Sequence, residues 1–301
     1  MHELVVISGK GGTGKTSVVA SFATLAEDAI LADCDVDAAD LHIVLEPTIV
    51  HREDFSGGSR AKLLSAQCTA CGKCVEVCRF GAIINGASGN GNVGKEYRVD
   101  WMACEGCGVC AHFCPQKAIE LAPVVNGELF VSSTRCGPMV HARLGVAMEN
   151  SGKLVSLVRT RARQLAEQRQ SRLIIVDGPP GIGCPVIASV TGAAFVLVVT
   201  EPTLSGEHDF ERVLQPTKHF GIPTAVCVNK WDLNPSITEQ IERKAMIGGA
   251  MAAGRVRYDR QVTAAQIHAQ SAVEYDCEAA NDIRDLWRGL NNMGDRCGIR
   301  L

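Results

Sequence analysis

The stretch Ser8-Gly9-Lys10-Gly11-Gly12-Thr13-Gly14-Lys15-Thr16 constrains this chain more than any other. Four apolar residues, Leu4 to Ile7, lead into it, and an apolar helical stretch, Ser17 to Leu25, follows. Strand, glycine loop and helix in that order make a phosphate-binding P-loop. Glycines let successive backbone N–H groups turn inward around phosphate oxygens, and the helix N-terminus adds its positive end. Gly11, Gly12, Thr13, Gly14 and Ser17 then surround the phosphates. Lys15 reaches the β- and γ-phosphates, and Thr16 places its hydroxyl on Mg²⁺.

Two further strands end in acids. Ala29 to Ala32 runs into Asp33-Cys34-Asp35-Val36-Asp37, and Leu173 to Val176 runs into Asp177-Gly178-Pro179-Pro180-Gly181. Ligand-binding residues of doubly wound sheets gather at the carboxyl ends of strands. An apolar strand ending in Asp is the Walker B arrangement, in which Asp177 holds Mg²⁺ through water. Ala194 to Val199 and Thr224 to Val228 are the remaining clear strands, the latter ending in Asn229-Lys230-Trp231-Asp232.

Between these halves stands a different chemistry. Cys68, Cys71, Cys74 and Cys78 recur as Cys104, Cys107, Cys110 and Cys114, followed by Pro115, and each run closes on Ala-Ile. This is the signature of two-cluster ferredoxins. The fourth cysteine of each run ligates the other cube. One [4Fe–4S] cluster therefore takes Cys68, Cys71, Cys74 and Cys114, and the other takes Cys104, Cys107, Cys110 and Cys78. Arg79 stands where the usual pattern has proline, which removes no ligand. Zinc is the rival metal for paired CxxC sites, but two complete four-cysteine runs of equal spacing favour iron–sulfur cubes. The chain around the runs divides by composition. Arg52 to Arg60 is polar and glycine-containing, as a linker is. Glu120 to Val131 can form outer strands of a small sheet around an Asn126-Gly127 hairpin turn. Asn85 to Gly94 reads as a glycine- and asparagine-rich loop.

The 301 residues suffice for one large α/β domain and a small one. With 46% apolar and 21% charged residues the chain is a globule, and a net charge of −3 gives no reason to expect nucleic acid. The longest apolar run is too short for a bilayer, and no secretory signal is visible, so a cytoplasmic location is expected. Fourteen cysteines in a reducing compartment ask for metal or redox chemistry and not disulfides.

Lys10-Gly11-Gly12-Thr13-Gly14-Lys15-Thr16 resembles the deviant Walker A motif of the MinD/Mrp class of P-loop ATPases, which also holds the nitrogenase iron protein. The resemblance implies that the extra lysine, Lys10, reaches across a dimer interface to the partner's nucleotide. It places Asp35 in switch I, on the attacking water or the Mg²⁺ shell, with Asp33 and Asp37 as alternatives. It places Gly178 in switch II, against the γ-phosphate, and Asn229 on adenine. Asp232 completes an NKxD pattern that pairs with guanine in GTPases, so GTP stays open beside ATP. Arg135 to Val155, with His141 and Lys153, is similar to a segment that follows the ferredoxin insertion in MinD-type ATPases that carry one. Within it Asn150 or Ser151 is a good N-cap for a helix to about Gln168. Cys184 lies where the nitrogenase iron protein has a cluster-binding cysteine. With Cys136 it could make a third metal site between subunits, or both could be small hydrophobes.

The C-terminal part departs from the family. After a helix from Pro235 to about Met246 comes Gly254-Arg255-Val256-Arg257-Tyr258-Asp259 in place of a proline-containing base loop. The last helix, about Ala279 to Asn292, carries the apolar stripe Ile283, Leu286, Trp287, Leu290 and Met293. Its charges balance, as suits packing and not membrane targeting.

The expectation is a P-loop NTPase, α/β with a mostly parallel sheet flanked by helices, over 1–58 and 132–301. An inserted α+β ferredoxin-type module occupies 59–131. The cofactors expected are ATP, Mg²⁺ and two [4Fe–4S] clusters. The activity implied is ATP hydrolysis coupling dimer switching to electron transfer. The dimer is either homodimeric or formed with a paralogous ATPase, and a redox or metal-cluster acceptor is the further partner, without nucleic acid or membrane. Two alternatives are an assembly or carrier ATPase for metal clusters, such as the molybdenum–copper cluster of the orange protein, and a redox-sensing module without turnover.

Overall fold

A computed structural model describes residues 1–86, 96–145, 151–275 and 277–299. Asn150 and most of the Asn85–Gly94 loop lie outside these. The chain begins with β1 (His2–Ser8), α1 (Lys15–Leu25), β2 (Ala29–Asp33), α2 (Leu41–Leu45) and β3 (Thr48–Phe55). Then come β4 (Gly58–Leu63), α3 (Lys73–Val77), β5 (Ile83–Gly86), β6 (Glu96–Val99), α4 (Val109–His112) and β7 (Ile119–Val124). The next elements are β8 (Gly127–Thr134), β9 (Gly137–Leu144), α5 (Ser151–Arg169), β10 (Leu173–Pro180), α6 (Cys184–Val190) and β11 (Phe195–Thr200). The chain closes with α7 (Leu204–His219), β12 (Thr224–Asn229), α8 (Pro235–Ile247), β13 (Met251–Val256), α9 (Arg260–Ile267) and α10 (Glu278–Arg296).

The chain divides into two units. The larger comprises Met1–Glu53, Glu128–Leu144 and Ser151–Leu301, and the smaller is centred on Asp54–Gly127. The expected insertion, 59–131, thus begins and ends a few residues later than the unit.

In the larger unit one sheet runs β13-β12-β11-β1-β10-β2-β9-β8-β3. From β13 to β9 the neighbours pair in parallel. Strands covered on both faces are apolar without alternation, and Leu4, Val5, Val6 and Ile7 are all fully buried. Leu4 and Val6 pack with Phe22 of α1 and with Ile283, Leu286 and Leu290 of α10 in one core. The stripe read on the last helix is therefore its packing face, with Trp287 and Met293 partly buried beside it. Parallel pairing brings the carboxyl ends of β1, β10 and β2 to one edge, with Asp177 in register with Asp33.

Three expectations are corrected. Arg52–Arg60 is not a linker: it holds the end of β3 and the start of β4. It reads as polar because β3 is the edge strand and its side chains are mostly exposed. Arg52 pairs with Glu128 of β8, and Arg143 of β9 reaches the same carboxylate at 2.7 Å, so one acid ties three strands. Asn126-Gly127 is no hairpin turn, because β7 pairs with β4 in a small sheet while β8 enters the large one. The Asn126 carboxamide oxygen instead accepts from Gly57 N at 2.7 Å, and Asn126 N donates to Phe55 O at 2.9 Å. Asn126 thereby clamps the entering chain to the leaving one. Finally, of the stretch Glu120 to Val131, read as outer strands of the small sheet, only β7 lies in it, while β8 joins the large sheet with β9, which pairs with β2.

The smaller unit is a twofold repeat. A shift of 36 residues, 104 minus 68, carries Cys68 to Cys104, Ala61 to Tyr97 and Ile83 to Ile119. Both small antiparallel sheets join the halves: β4 pairs with β7, Leu63 opposite Ile119, and β5 pairs with β6, Ile83 opposite Val99. The repeat extends to the backbone. Ala70 and Gly106 are both left-handed, at φ 54 and 64, as are Gly72 and Gly108, at φ 80 and 79, which open α3 and α4.

Candidate nucleotide site and iron–sulfur centres

The P-loop leaves β1 at Ser8 and enters α1 at Lys15. Gly12 and Gly14 hold φ near +80, which only glycine adopts at little cost. A Cβ at Gly14 would strike the Asn229 carboxamide, so the loop and the end of β12 fit together only with glycine there. Gly11, Gly12, Thr13, Gly14, Lys15, Thr16, Ser17, Asp35 and Asn229 line one cavity of about 520 Å³.

At its floor Lys15 is buried and ion-paired with Asp177, and its Nζ lies 3.7 Å from Asp35. Thr16 Oγ1 donates to Asp177 Oδ2 at 2.8 Å. Asp33 is fully buried, and its Oδ1 accepts from Asp35 N at 3.1 Å. Burial pulls the Lys15 ammonium down, but Asp177, Asp35 and Asp33 outweigh it and hold the pKa above the ordinary lysine value. Burial, then the nearby Asp177 carboxylate, push the Asp33 carboxyl well up. Burial raises Asp35 to about 6 against the pull of Lys15. Carboxylates outnumber ammonium groups here, and Thr16, Asp177 and Asp35 have the oxygen chemistry of a Mg²⁺ site. Thr13 Oγ1 is buried without a partner among the described residues and belongs to the cavity wall, as a phosphate-facing hydroxyl would. These residues fit a Mg²⁺ nucleotide.

The other expected residues are placed differently. Asp37 is exposed. Gly178 is buried inside β10, against Ile7 and Val6 O, and is not part of the cavity wall. The Asn229 amide donates to Thr13 O at 2.7 Å and its oxygen accepts from Lys230 N at 3.0 Å, so its side chain holds the P-loop. Asp232 Oδ1 accepts from Tyr258 N at 2.6 Å and also stands outside the cavity wall. Sequence reasoning missed Tyr258, Asp259, Val262, Thr263 and Gln266, which wall the cavity from the loop after β13 and from α9. The one signal was the departure itself, with Asp259 as a visible N-cap accepting from Gln261 N at 2.9 Å. Lys10 reaches Glu201 Oε1 at 2.6 Å and Ser205 Oγ at 3.0 Å in its own chain. Glu201 also lies 3.3 Å from Lys230, and although burial raises its pKa, the two lysines prevail and lower it.

His141 is buried in β9, stacked on Phe130, with Nε2 2.8 Å from Ser132 Oγ. Burial lowers its pKa to about 4. Lys153 is exposed in the first turn of α5. Cys136 packs on the main core with Sγ 3.6 Å from Thr24 Oγ1, whereas Cys184 is exposed at the start of α6 beside Gly152. The two have different neighbours.

In the smaller unit the crossed grouping of cysteines is found in space. Cys104, Cys107, Cys110 and Cys78 line one cavity, and Cys68, Cys71, Cys74 and Cys114 line another. Backbone N–H groups point at ligand sulfurs: Ala70 N to Cys68 Sγ at 3.4 Å, Ala118 N to Cys114 Sγ at 3.3 Å, and Ala61 N to Cys104 Sγ at 3.5 Å. Such donors stabilise thiolates. Four thiols around each cavity fit a [4Fe–4S] cube.

Residues 67–119 match the family model of the 4Fe-4S dicluster domain. The chain is 30% identical to the uncharacterized protein MJ0578 of Methanocaldococcus jannaschii over 77% of its length and 79% of that protein's. It belongs to the family of MJ0578. A second protein of that organism, MJ0579, is 24% identical over 97% of this chain and 98% of its own length. Among solved structures, the septum site-determining protein MinD of Pyrococcus horikoshii, complexed with Mg-ADP, shares the fold. Its TM-score is 0.57 at 14% identity, covering 98% of each chain. The members of this family thus include a chain with a MinD-type P-loop fold joined to a 4Fe–4S dicluster domain. Among the described residues no helix is long and apolar enough to cross a membrane.

Proposed function

We propose that this chain is an ATP-driven iron–sulfur electron carrier. The observation that carries the reading is the joining, in one chain, of a P-loop site to two four-thiol cavities. The inserted unit enters after Asp35 and leaves before Asp177, so the two segments that would respond to the γ-phosphate flank it in sequence.

Lys15, which neutralises Asp177 and Asp35, would serve the β- and γ-phosphates. Thr16 and Asp177 would hold the Mg²⁺, which supplies charge neutralisation for phosphoryl transfer. Asp35, with its carboxyl raised to about 6, suits the orientation and deprotonation of the attacking water. The Mg-ADP complex of the Pyrococcus MinD supports an adenine nucleotide. Lys10 is one lysine more than a single phosphate cradle needs. It would leave Glu201 and Ser205 to stabilise the nucleotide of a second subunit, as an arginine finger does in trans. Similarity to two proteins of one archaeon supports a paralogous chain, beside an identical one, as that subunit.

Cys68, Cys71, Cys74 and Cys114 would hold one [4Fe–4S] cluster, and Cys104, Cys107, Cys110 and Cys78 the other. When bound, such clusters store and pass single electrons. Each cavity draws thiols from both halves of the repeat, so releasing a cluster requires parting the halves. That favours electron transfer over cluster delivery.

The test is ATP turnover and dimerisation by the anaerobically prepared, iron-loaded chain. Turnover and an ATP-dependent dimer are expected, and Lys10→Ala should lose both while still binding nucleotide. Transfer of iron to an apo-acceptor at the rate of turnover would replace this reading with the carrier one.

A further inference from the structure

The internal repeat allows the surroundings of the two thiol sets to be compared position by position. The comparison rests on the two-cluster reading above, though not on ATP gating. At three equivalent pairs, 36 residues apart, the wall of the Cys68 cavity carries a hydrogen-bonding group. The wall of the Cys104 cavity carries a methyl, a ring or an acid there. The pairs are Tyr97 against Ala61, Gln116 against Phe80, and Thr69 against Glu105. A fourth pair, Lys73 against Val109, leans the same way, although Lys73 is also 3.0 Å from Glu76.

Tyr97 is the most built of these. It is 8% exposed and belongs to the small core. Its hydroxyl faces Gly72, the left-handed residue between Cys71 and Cys74: a Cβ on Gly72 would come within 3.1 Å of it. Backbone N–H groups also reach Cys68 and Cys114 in the first set, at 3.4 and 3.3 Å, and Cys104 in the second, at 3.5 Å, beside the matched donors Val75 to Cys74 and Ala111 to Cys110. Reducing a cluster adds negative charge. Donors aimed at the sulfurs favour the reduced form, and a carboxylate or an apolar wall disfavours it.

We propose that the two centres are electronically unequal. The cluster held by Cys68, Cys71, Cys74 and Cys114 is the easier to reduce, and Tyr97, Thr69 and Gln116 set it apart. The cluster held by Cys104, Cys107, Cys110 and Cys78 lies lower, because of Phe80 and Glu105. A single electron delivered to the chain by a low-potential one-electron donor protein therefore settles on the Cys68 side. If it enters on the Cys104 side, that cluster is reoxidised as its neighbour is reduced.

The experiment is a potentiometric titration of the anaerobic holoprotein followed by EPR. Two one-electron steps are expected, with at least a tenfold preference for the first site, about 59 mV for one electron. Tyr97→Phe, which removes only the hydroxyl, should lower the first step and leave the second. Glu105→Thr, which imports the equivalent residue, should raise the second and leave the first. Cys78→Ser, which keeps the Cys68 cluster, should titrate above Cys114→Ser, which keeps the other. Should the cysteine variants fail to assemble, the two conservative variants decide the assignment. Equal steps, a reversed order, or a Tyr97→Phe effect on the second step would overturn the proposal. If the order holds but MgATP alters nothing, the ATP-gating reading fails and this one stands.

Discussion

Gly106→Ala separates the two halves of the iron–sulfur unit. Gly106 sits between Cys104 and Cys107 at φ +64, and an added Cβ would overlap the carbonyl oxygen of Ser59 in β4. The left-handed backbone costs an alanine about 1 kcal/mol. The overlap is with backbone, so β4 must retreat from β7, losing one or two ladder hydrogen bonds at about 1 kcal/mol each. The expected loss is about 2–3 kcal/mol, all of it beside Cys104 and Cys107. The repeat supplies the control. Ala70, the equivalent of Gly106, already holds φ 54 with its Cβ in place, so Ala70→Gly relieves strain and damages nothing. The assay is iron and acid-labile sulfide per chain after anaerobic purification, with urea unfolding beside it. Gly106→Ala should hold one cluster, about four irons, and Ala70→Gly two, about eight. A full iron complement with unchanged stability in Gly106→Ala would refute the reasoning.

Other substitutions test the remaining parts. Cys78→Ser should leave EPR of the cluster held by Cys68, Cys71, Cys74 and Cys114 intact and remove the other; loss of the cluster nearest in sequence would contradict the crossed grouping. Lys15→Ala should abolish nucleotide binding in equilibrium titration, because it removes the ammonium paired with Asp177 and Asp35. Asp35→Ala should bind ATP and accumulate as a closed dimer in sedimentation, turning over at least a hundredfold more slowly if only water activation is lost. His141 is held neutral, with its pKa lowered from 6.5 to about 4 by burial. The unfolded chain takes up that proton first, so stability is level above pH 6.5 and falls as pH drops toward 4, by about 3 kcal/mol at most. Urea unfolding at pH 7 and pH 5 should show this loss, and His141→Gln should shrink it.

What was legible in the sequence follows from where structure is locally determined. Glycine spacing, a strand ending in Asp and cysteine spacing each encode a local geometry. The P-loop, Asp177 beneath Lys15 and both thiol cavities were therefore readable from the chain alone. The apolar runs of the central strands were equally plain, because burial on two faces leaves no alternation to misread. β3 was missed because an edge strand is paid no hydrophobic signature by its exposed faces. Asn126-Gly127 misled because a hairpin dipeptide is a local preference, and here pairing of β7 with β4 and of β8 with the large sheet overrode it. The side of the cavity walled by α9 was illegible for a similar reason. Asp232, which has a ready local meaning, is spent on Tyr258 N across 26 residues, and α9 supplies the wall. The sequence also could not say that Lys10 is held by Glu201 and Ser205, because both contacts span more than 190 residues.

The central claim is that nucleotide state reaches the clusters. Its most direct test is the midpoint potentials of both clusters in the anaerobic protein, measured without nucleotide, with MgADP and with MgATP. The account predicts that MgATP shifts at least one potential relative to MgADP, and that Lys15→Ala abolishes the shift. Identical potentials in all three states, with nucleotide binding verified in the same samples, would contradict it.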